Sequence, residues 1–265
     1  MKLSYIANHI YMQCRYLWNN WVRRITIDSA PTFIVGCGHS GTSLLLSILD
    51  AHPRIYSVPF ESGIAKGEKP KKFLNALKKF NVKAVVAGKR RVVEKTPKHI
   101  QCIGKILKWV PEAKIIIIVR DGRDVAYSIK QRTGSLEEGI QRWMDDNLSA
   151  KEFWNHPNVY LVKYEQIIED FEGSLTGILS HLGEAYDATL RDYHKTKKRW
   201  YSPNISKPEN AYGQNHRQNR NWQINQPLFD GRQKWKNLSD TELSYVIETG
   251  QPLLEEFGYI DPKNG

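Results

Sequence analysis

Short apolar runs alternate along this chain with stretches in which apolar residues recur at helical spacing. The run KIIIIV at Lys114–Val119 is continuous and rich in β-branched residues, which is typical of a buried strand in a parallel sheet. Shorter runs predict strands at Phe33–Val35, Arg91–Glu94 and Val159–Val162. Strands that alternate with helices predict an α/β fold, in which a central parallel sheet is flanked by helices.

The helical segments are predicted from the spacing of apolar positions and from glycine and proline stop signals. They lie at residues 70–81, 100–109, 125–132, 136–155, 175–182 and 239–257. Ser239 and Glu242 form a capping-box pattern at the start of the last helix. Residues 201–228 are rich in Asn and Gln and contain prolines, so we predict a long loop there.

The predicted domain organisation is simple. Residues 31–265 are predicted to form one α/β domain, because the length of the chain suits a single domain with an elaborated edge. Residues 1–30 are predicted to be an N-terminal helical extension, since residues 3–25 combine helical periodicity with basic side chains. This helix is expected to pack on the domain, with contact to a membrane interface as the alternative.

A glycine-rich turn between the first strand and the next helix carries the strongest chemical signal. Residues 31–51 read PTFIVGCGHSGTSLLLSILDA, with Gly36, Gly38 and Gly41 in the turn and Thr42 and Ser43 after it. Glycines let the backbone approach a phosphate, and the N–H groups and dipole of a helix N-terminus favour negative charge. The pattern therefore predicts an anion-binding site at residues 36–43.

The P-loop pattern GxxxxGK[ST] fits this turn in part. Gly36 and Gly41 have the required spacing and Ser43 fits, but Thr42 stands where the pattern has lysine. That lysine normally reaches the β- and γ-phosphates, so ordinary ATP or GTP chemistry is disfavoured.

Two other motifs compete for the same turn. The dinucleotide pattern GxGxxG is satisfied, but it needs an acidic residue about 20 positions later, and Glu61 follows no clear second strand. A cysteine-phosphatase loop starting at Cys37 would need an arginine at the position of Ser43, and is set aside.

The composition of the chain indicates which kinds of ligand and which cellular location to expect. The formal net charge of +11 favours an anionic cofactor or an acidic substrate. Nucleic acid is not the expected partner, because zinc-finger, RRM and KH signatures are missing. The three cysteines lack CxxC spacing, which argues against a zinc site or a disulfide framework and suits a cytoplasmic location. The longest apolar runs are too short to span a bilayer, and the N-terminus lacks a signal-peptide pattern.

A second anion pocket is predicted at the end of the KIIIIV strand. Arg120 ends that strand, and Ser128 and Arg132 lie one turn apart on one face of the following helix. Ligands of open α/β sheets bind at the carboxyl ends of the strands. Two neighbouring pockets imply a ligand with two separated anionic groups.

Several motifs occur in order over roughly residues 31–260. They are GCGHSGTSLL, VEKTP at 93–97, VRDGRDVAYSIKQR, VKYEQIIEDFEGSLTGILSHLG at 162–183, and GRQKW at 231–235. Together they resemble the sulfotransferase family that uses 3′-phosphoadenosine 5′-phosphosulfate (PAPS), nearest to its protein-tyrosine and bacterial branches. The resemblance implies a P-loop-like α/β domain.

The resemblance also implies roles for individual residues. The 5′-phosphosulfate would be held by Gly38, His39, Ser40, Gly41, Thr42 and Ser43. The 3′-phosphate would be held by Arg120, Ser128 and Arg132, through charge-assisted hydrogen bonds. Tyr164 would contact the adenine, and Lys234 would close over the nucleotide.

Glu61 is the expected catalytic base, because related sequences carry the catalytic glutamate after the first helix. His99, just after KTP, is the rival base. The family usually has lysine or arginine where this chain has His39, which is only partly protonated near neutrality in water. Lys95 is the expected source of the missing charge.

The implied reaction is metal-free transfer of a sulfuryl group to a hydroxyl, with adenosine 3′,5′-bisphosphate as the leaving group. The acceptor stays open among a tyrosyl peptide, a glycan, a lipid and a small alcohol. A nucleotide kinase or NTPase, a NAD-dependent enzyme and a non-catalytic nucleotide-binding module are the alternatives.

Overall fold

A five-stranded sheet lies at the centre of the protein. A computed structural model of the chain describes residues 29–210 and 215–262. The strands are β1 (Thr32–Val35), β2 (Ile55–Ser57), β3 (Arg91–Lys95), β4 (Lys114–Val119) and β5 (Val159–Lys163). Their order is β2-β3-β1-β4-β5, and each neighbouring pair is parallel. The predicted α/β fold with a central parallel sheet is confirmed.

Strand β4 shows why its sequence is continuously apolar. Ile115, Ile117 and Val119 pack into the core on one face of the sheet, and Ile116 and Ile118 pack into the core on the other. Both faces are covered by helices, so alternation between apolar and polar residues would bury polar side chains.

The described helices cover the two faces of the sheet unequally. They are α1 (Thr42–Leu49), α2 (Pro70–Val86), α3 (Ile103–Trp109), α4 (Gly122–Thr133), α5 (Leu136–Leu148), α6 (Tyr164–Glu169), α7 (Phe171–Leu182), α8 (His216–Gln223) and α9 (Asp240–Glu256). Apolar residues of α1, α6 and α7 pack on one face. Apolar residues of α2 to α5 and α9 pack on the other.

Several helix boundaries differ from the sequence prediction, and caps explain two of them. Helix α4 begins at Gly122 because the Asp121 side chain accepts a hydrogen bond from the Arg123 N–H. Helix α7 begins at Phe171, where Asp170 caps the N–H of Gly173. The predicted segment 100–109 is divided into a 3₁₀ turn, Pro97–Cys102, and α3, while 136–155 ends as a helix at Leu148.

The sequence analysis missed two elements. Strand β2 has only three residues, and it ends four positions before Glu61, so the expectation that no strand ends there was wrong. It pairs with β3 at the sheet edge rather than with β1, however, so the order differs from that of a dinucleotide-binding sheet. Helix α8 lies inside the segment that was predicted to be a long loop.

Buried asparagines rather than apolar residues hold α8 in place. Asn221 and Asn225 are at most 1% exposed. Asn221 donates to the Asn204 carbonyl, and Asn225 donates to the Lys198 carbonyl. The Ser47 hydroxyl of α1 also donates to the Ile224 carbonyl at the end of α8, with a distance of 2.9 Å. A helix anchored in this way leaves no apolar periodicity in the sequence.

The predicted N-terminal helix at 3–25 lies outside the described residues, so the extension at 1–30 and the domain bounds stay predictions. Among the residues described, no helix combines the length and apolar character needed to cross a membrane.

Candidate active site

Residues that follow the carboxyl ends of the five strands meet at one edge of the sheet. A cavity of about 430 Å³ opens there, and Gly41, Glu61, Arg120 and Tyr164 contribute to its lining. Lys95, the last residue of β3, reaches the same place by donating to a Glu61 carboxylate oxygen at 2.7 Å. Parallel strands bring these chain positions together because all their carboxyl ends lie on the same edge.

The turn after β1 is shaped to receive an anion. Gly41 has a φ of +97°, and a Cβ there would lie 2.8 Å from Cδ2 of Tyr164. Gly41 is the N-cap of α1 and offers no side-chain cap, so the first N–H groups of the helix remain available. The Ser40 hydroxyl is buried and has no hydrogen-bond partner among the described residues. This combination is typical of a phosphate or sulfate cradle.

His39 lies in the turn with a left-handed φ of +72°. Its Nδ1 is 2.9 Å from the Ser128 hydroxyl. Burial, together with the nearby His216 and arginines led by Arg132, lowers the pKa of His39 to about 3. His39 is therefore neutral near pH 7, rather than partly protonated as its ordinary pKa suggested.

Arg120 organises the site through bonds to the backbone. Its guanidinium donates to the His39 carbonyl at 3.1 Å and to the Gly231 carbonyl at 2.5 Å. It also lies over the Tyr164 ring, 4.7 Å from the centroid. Its Nε is buried and has no hydrogen-bond partner among the described residues. Arg120 thus joins the anion turn to the segment at 231–235.

Asp124, which the sequence analysis missed, holds that segment in place. It is 1% exposed and accepts hydrogen bonds from the Gln233 and Trp235 N–H groups at 3.0 and 3.1 Å. It also pairs with Arg120 at 3.3 Å. Lys234 lies between the two N–H donors and lines the cavity, with burial lowering its pKa.

Tyr164 begins α6 and packs against both glycine-containing segments. Its ring lies against Gly41, and its hydroxyl is close enough to Gly231 that a Cβ there would be 2.8 Å away. Burial raises the pKa of the phenol. The tyrosine is 5% exposed and lines the cavity with part of its surface.

Glu61 is held by two cations. Lys95 is fully buried and donates to Oε1 of Glu61, and Arg220 of α8 pairs with the same oxygen. Burial opposes ionisation of the carboxyl, but Lys95 and Arg220 outweigh it and lower the pKa of Glu61 to about 2. The carboxylate is therefore ionised near neutrality.

His99 does not reach the cavity. It is fully buried, and its Nδ1 lies 3.1 Å from a Glu94 carboxylate oxygen. Its Nε2 accepts a hydrogen bond from the Ala65 N–H at 3.2 Å. With both ring nitrogens occupied, His99 is placed as a structural residue of the core.

The structure brings nearly all the predicted site residues to one cavity. Its lining includes Gly38, His39, Gly41, Thr42, Ser43, Glu61, Arg120, Ser128, Arg132, Tyr164 and Lys234. Ser40 is buried within the turn, and Lys95 is buried beneath Glu61.

The lining is strongly cationic. Its lysines and arginines are Lys66, Lys98, Arg120, Arg132, Arg142, Arg217, Arg220 and Lys234, against a single carboxylate, Glu61. The sequence analysis missed Arg142, Arg217 and Arg220. Arg217 and Arg220 could have been found from the cluster of basic residues in HRQNR, which lies within an otherwise Asn- and Gln-rich segment. Such a cavity strengthens binding of a ligand with several negative charges.

Comparisons with known proteins found a matching family model and proteins of similar fold. A family model described as "Sulfotransferase family" matches residues 64–188, slightly less than half of the chain. The sulfotransferase domain of the Synechococcus PCC 7002 olefin synthase shares the fold, with a TM-score of 0.59, 18% identity, and coverage of 90% of this chain and 99% of that domain. Mouse sulfotransferase SULT7A1, solved in complex with PAP, has a TM-score of 0.57 and 19% identity, covering 87% of this chain and 89% of its own. The resemblance to sulfotransferases is confirmed.

One curated relative matches by sequence. It is an uncharacterized protein of Aquifex aeolicus (strain VF5), 25% identical, and the match covers 63% of this chain and 27% of that protein. The match thus spans about a quarter of the relative's length.

Proposed function

We propose that this chain transfers the sulfuryl group of PAPS to the hydroxyl of an acceptor. The observation that carries the proposal is the cationic cavity whose lining includes both the uncapped N-terminus of α1 and the ionised Glu61. The family match and the sulfotransferase fold support this class of reaction, and PAP in the mouse neighbour supports a nucleotide of this type.

The described residues fit such a donor. The partnerless Ser40 hydroxyl and the α1 N–H groups suit the 5′-phosphosulfate, with Thr42 and Ser43 beside them. Arg132 makes no hydrogen bond to the described residues and lines the cavity beside Ser128, which suits the 3′-phosphate. Tyr164 and Lys234 also line the cavity, where Tyr164 would contact the adenine and Lys234 would close over the nucleotide.

The chain's own groups would position the reactants and move one proton. When bound, PAPS supplies the sulfuryl group, whose bond to the 5′-phosphate oxygen breaks as a bond from sulfur to the acceptor oxygen forms. Glu61 takes the proton of the acceptor hydroxyl. Lys95 holds the Glu61 carboxylate in place, and side-chain cations balance charge on the leaving bisphosphate.

The acceptor would enter from the open side of the cavity. Lys66, Lys98 and Arg217 are exposed there and form no ion pair with the described residues. They favour an acceptor that carries negative charge, whether it is a tyrosyl peptide, a glycan, a lipid or a small alcohol.

Nucleotide binding provides the first test. Adenosine 3′,5′-bisphosphate should raise the melting temperature, whereas ATP with magnesium and NAD should not, because a ligand of the folded state stabilises it. Arg132→Ala should remove most of this shift without lowering the melting temperature of the free protein. A shift with ATP or NAD instead would favour a kinase or a dehydrogenase.

Glu61→Gln provides the test of catalysis. Transfer from PAPS to a panel of tyrosyl peptides, glycans and phenols, assayed in EDTA, should fall by about 100-fold or more. Bisphosphate binding should persist, since Gln keeps the shape of the side chain. An unchanged rate would exclude Glu61 as the base, and binding without transfer by the wild type would favour a non-catalytic module.

A further inference from the structure

The anion turn itself carries no fixed positive charge. His39 is its only ionisable side chain near the helix N-terminus, apart from the buried Cys37 thiol, and its pKa of about 3 makes it neutral. Arg120 already donates to two backbone carbonyls and pairs with Asp124. A sulfuryl transfer develops negative charge on the leaving oxygen, and a nearby cation lowers the barrier.

Arg220 reaches the N-terminus of α1 through a side-chain contact. Its Nε donates to the Ser43 hydroxyl at 2.9 Å, and Ser43 is the second residue of α1. Its other end pairs with Glu61. The guanidinium therefore bridges the anion turn, which would hold the sulfuryl donor, and Glu61, the proposed base for the acceptor.

Its position is well supported by neighbouring groups. The guanidinium stacks on the Tyr201 ring, 4.0 Å from the centroid. The helix that carries it is fixed by the buried Asn221 and Asn225 and by the bond from Ser47 to the end of α8. Arg220 is thus preorganised by packing and does not depend on Glu61 alone.

The other cations are placed less well for this task. Lys95 is fully buried under Glu61 and lies 5.1 Å from the Tyr201 centroid, outside the cavity lining. Arg142 lies against Gly38 and pairs with Asp146. Arg132 extends from the last turn of α4, the helix that carries Ser128.

We propose that Arg220 binds the transferring sulfuryl group, and that it exchanges Glu61 for that group when the donor binds. This inference rests on the proposed function. The exchange removes one of the two cations that hold Glu61 in its strongly ionised form, so it would make the carboxylate a better proton acceptor.

The test compares two nucleotides that differ in the sulfuryl group. Binding of PAPS and of adenosine 3′,5′-bisphosphate is measured by calorimetry for the wild type, Arg220→Gln and Arg220→Lys. Arg199→Ala is the control, because Arg199 is an exposed arginine just before the segment 201–228 and its hydrogen bond is to the Pro203 carbonyl. Circular dichroism and melting temperature check that each variant is folded.

Arg220→Gln should weaken PAPS binding at least tenfold and bisphosphate binding less than threefold, and lower kcat by about 100- to 1,000-fold. Arg220→Lys should recover part of the PAPS affinity and part of kcat, since lysine keeps the charge but not the fork geometry of the guanidinium. Equal weakening of both nucleotides, or none, would overturn the role of Arg220. Failure of the wild type to bind either nucleotide would instead reject the proposed function.

Discussion

Gly41→Ala tests whether the anion turn is built around the close approach of Tyr164. The φ of Gly41 is +97°, and an added Cβ would lie 2.8 Å from Cδ2 of Tyr164 and 3.3 Å from Cδ1 of Ile118. Gly183, the C-cap of α7, is a matched control, since its φ is +71° but nothing lies within 4 Å of an added Cβ.

The expected loss of stability follows from the backbone conformation of each glycine and from the contacts that an added Cβ would make. A left-handed conformation costs an L residue about 1–2 kcal/mol, and both substitutions carry this cost. Both also restrict the unfolded chain in the same way, so that effect cancels in the comparison. Overpacking against the Tyr164 ring adds about 1–3 kcal/mol at Gly41 alone. Gly41→Ala should therefore be destabilised by about 2–5 kcal/mol, and Gly183→Ala by about 1–2 kcal/mol.

Urea denaturation of both variants, followed by circular dichroism, measures the difference in the free energy of unfolding. Bisphosphate binding by calorimetry should also weaken in Gly41→Ala and stay unchanged in Gly183→Ala, because only the first displaces the α1 N–H groups. Equal losses of stability in the two variants, with equal nucleotide affinity, would refute the idea that Tyr164 and the turn are tightly fitted.

Two further predictions concern groups around Arg120. The native pKa of His39 is about 3 and lies below its unfolded value, so between pH 3 and 6.5 this histidine is protonated only in the unfolded state. The free energy of unfolding should therefore rise with pH across that window, and rise less steeply in His39→Gln. NMR should show no titration of the His39 ring from pH 5 to 8. Asp124→Asn should lower the free energy of unfolding by about 3–5 kcal/mol in urea and weaken bisphosphate binding, since it leaves Arg120 buried without its partner, whereas the exposed Asp145→Asn should change neither.

The central sheet could be predicted because its signals are local. The run at Lys114–Val119 is apolar on both faces, and such a run has few structures open to it other than a covered parallel strand. Strand β2 could not be predicted in the same way, since its three residues carry too little pattern to separate them from a loop. The capping box of Ser239 and Glu242 is confirmed. It could be predicted because it too is local and depends on two residues only three positions apart.

Much of the candidate site was also predictable, for a reason of topology. In a parallel sheet, a polar residue placed just after a strand must lie at the carboxyl edge, so Arg120 and Tyr164 were brought to the anion turn by the order of elements. His99 could not be excluded from the sequence, because only its contacts with Glu94 and Ala65 show that both nitrogens are occupied.

The sequence by itself determined the strand–turn–helix that builds the anion turn and the sheet that supports it, because these depend on periodicity and on glycine geometry within short segments. Only the tertiary structure decided the charge around the turn. It buried His39 into a neutral state and placed Arg220 against Glu61, although 159 positions separate that pair in the chain. Burial and long-range ion pairs set the charge states of the residues in a site, and neither can be predicted from the spacing of residues along one segment.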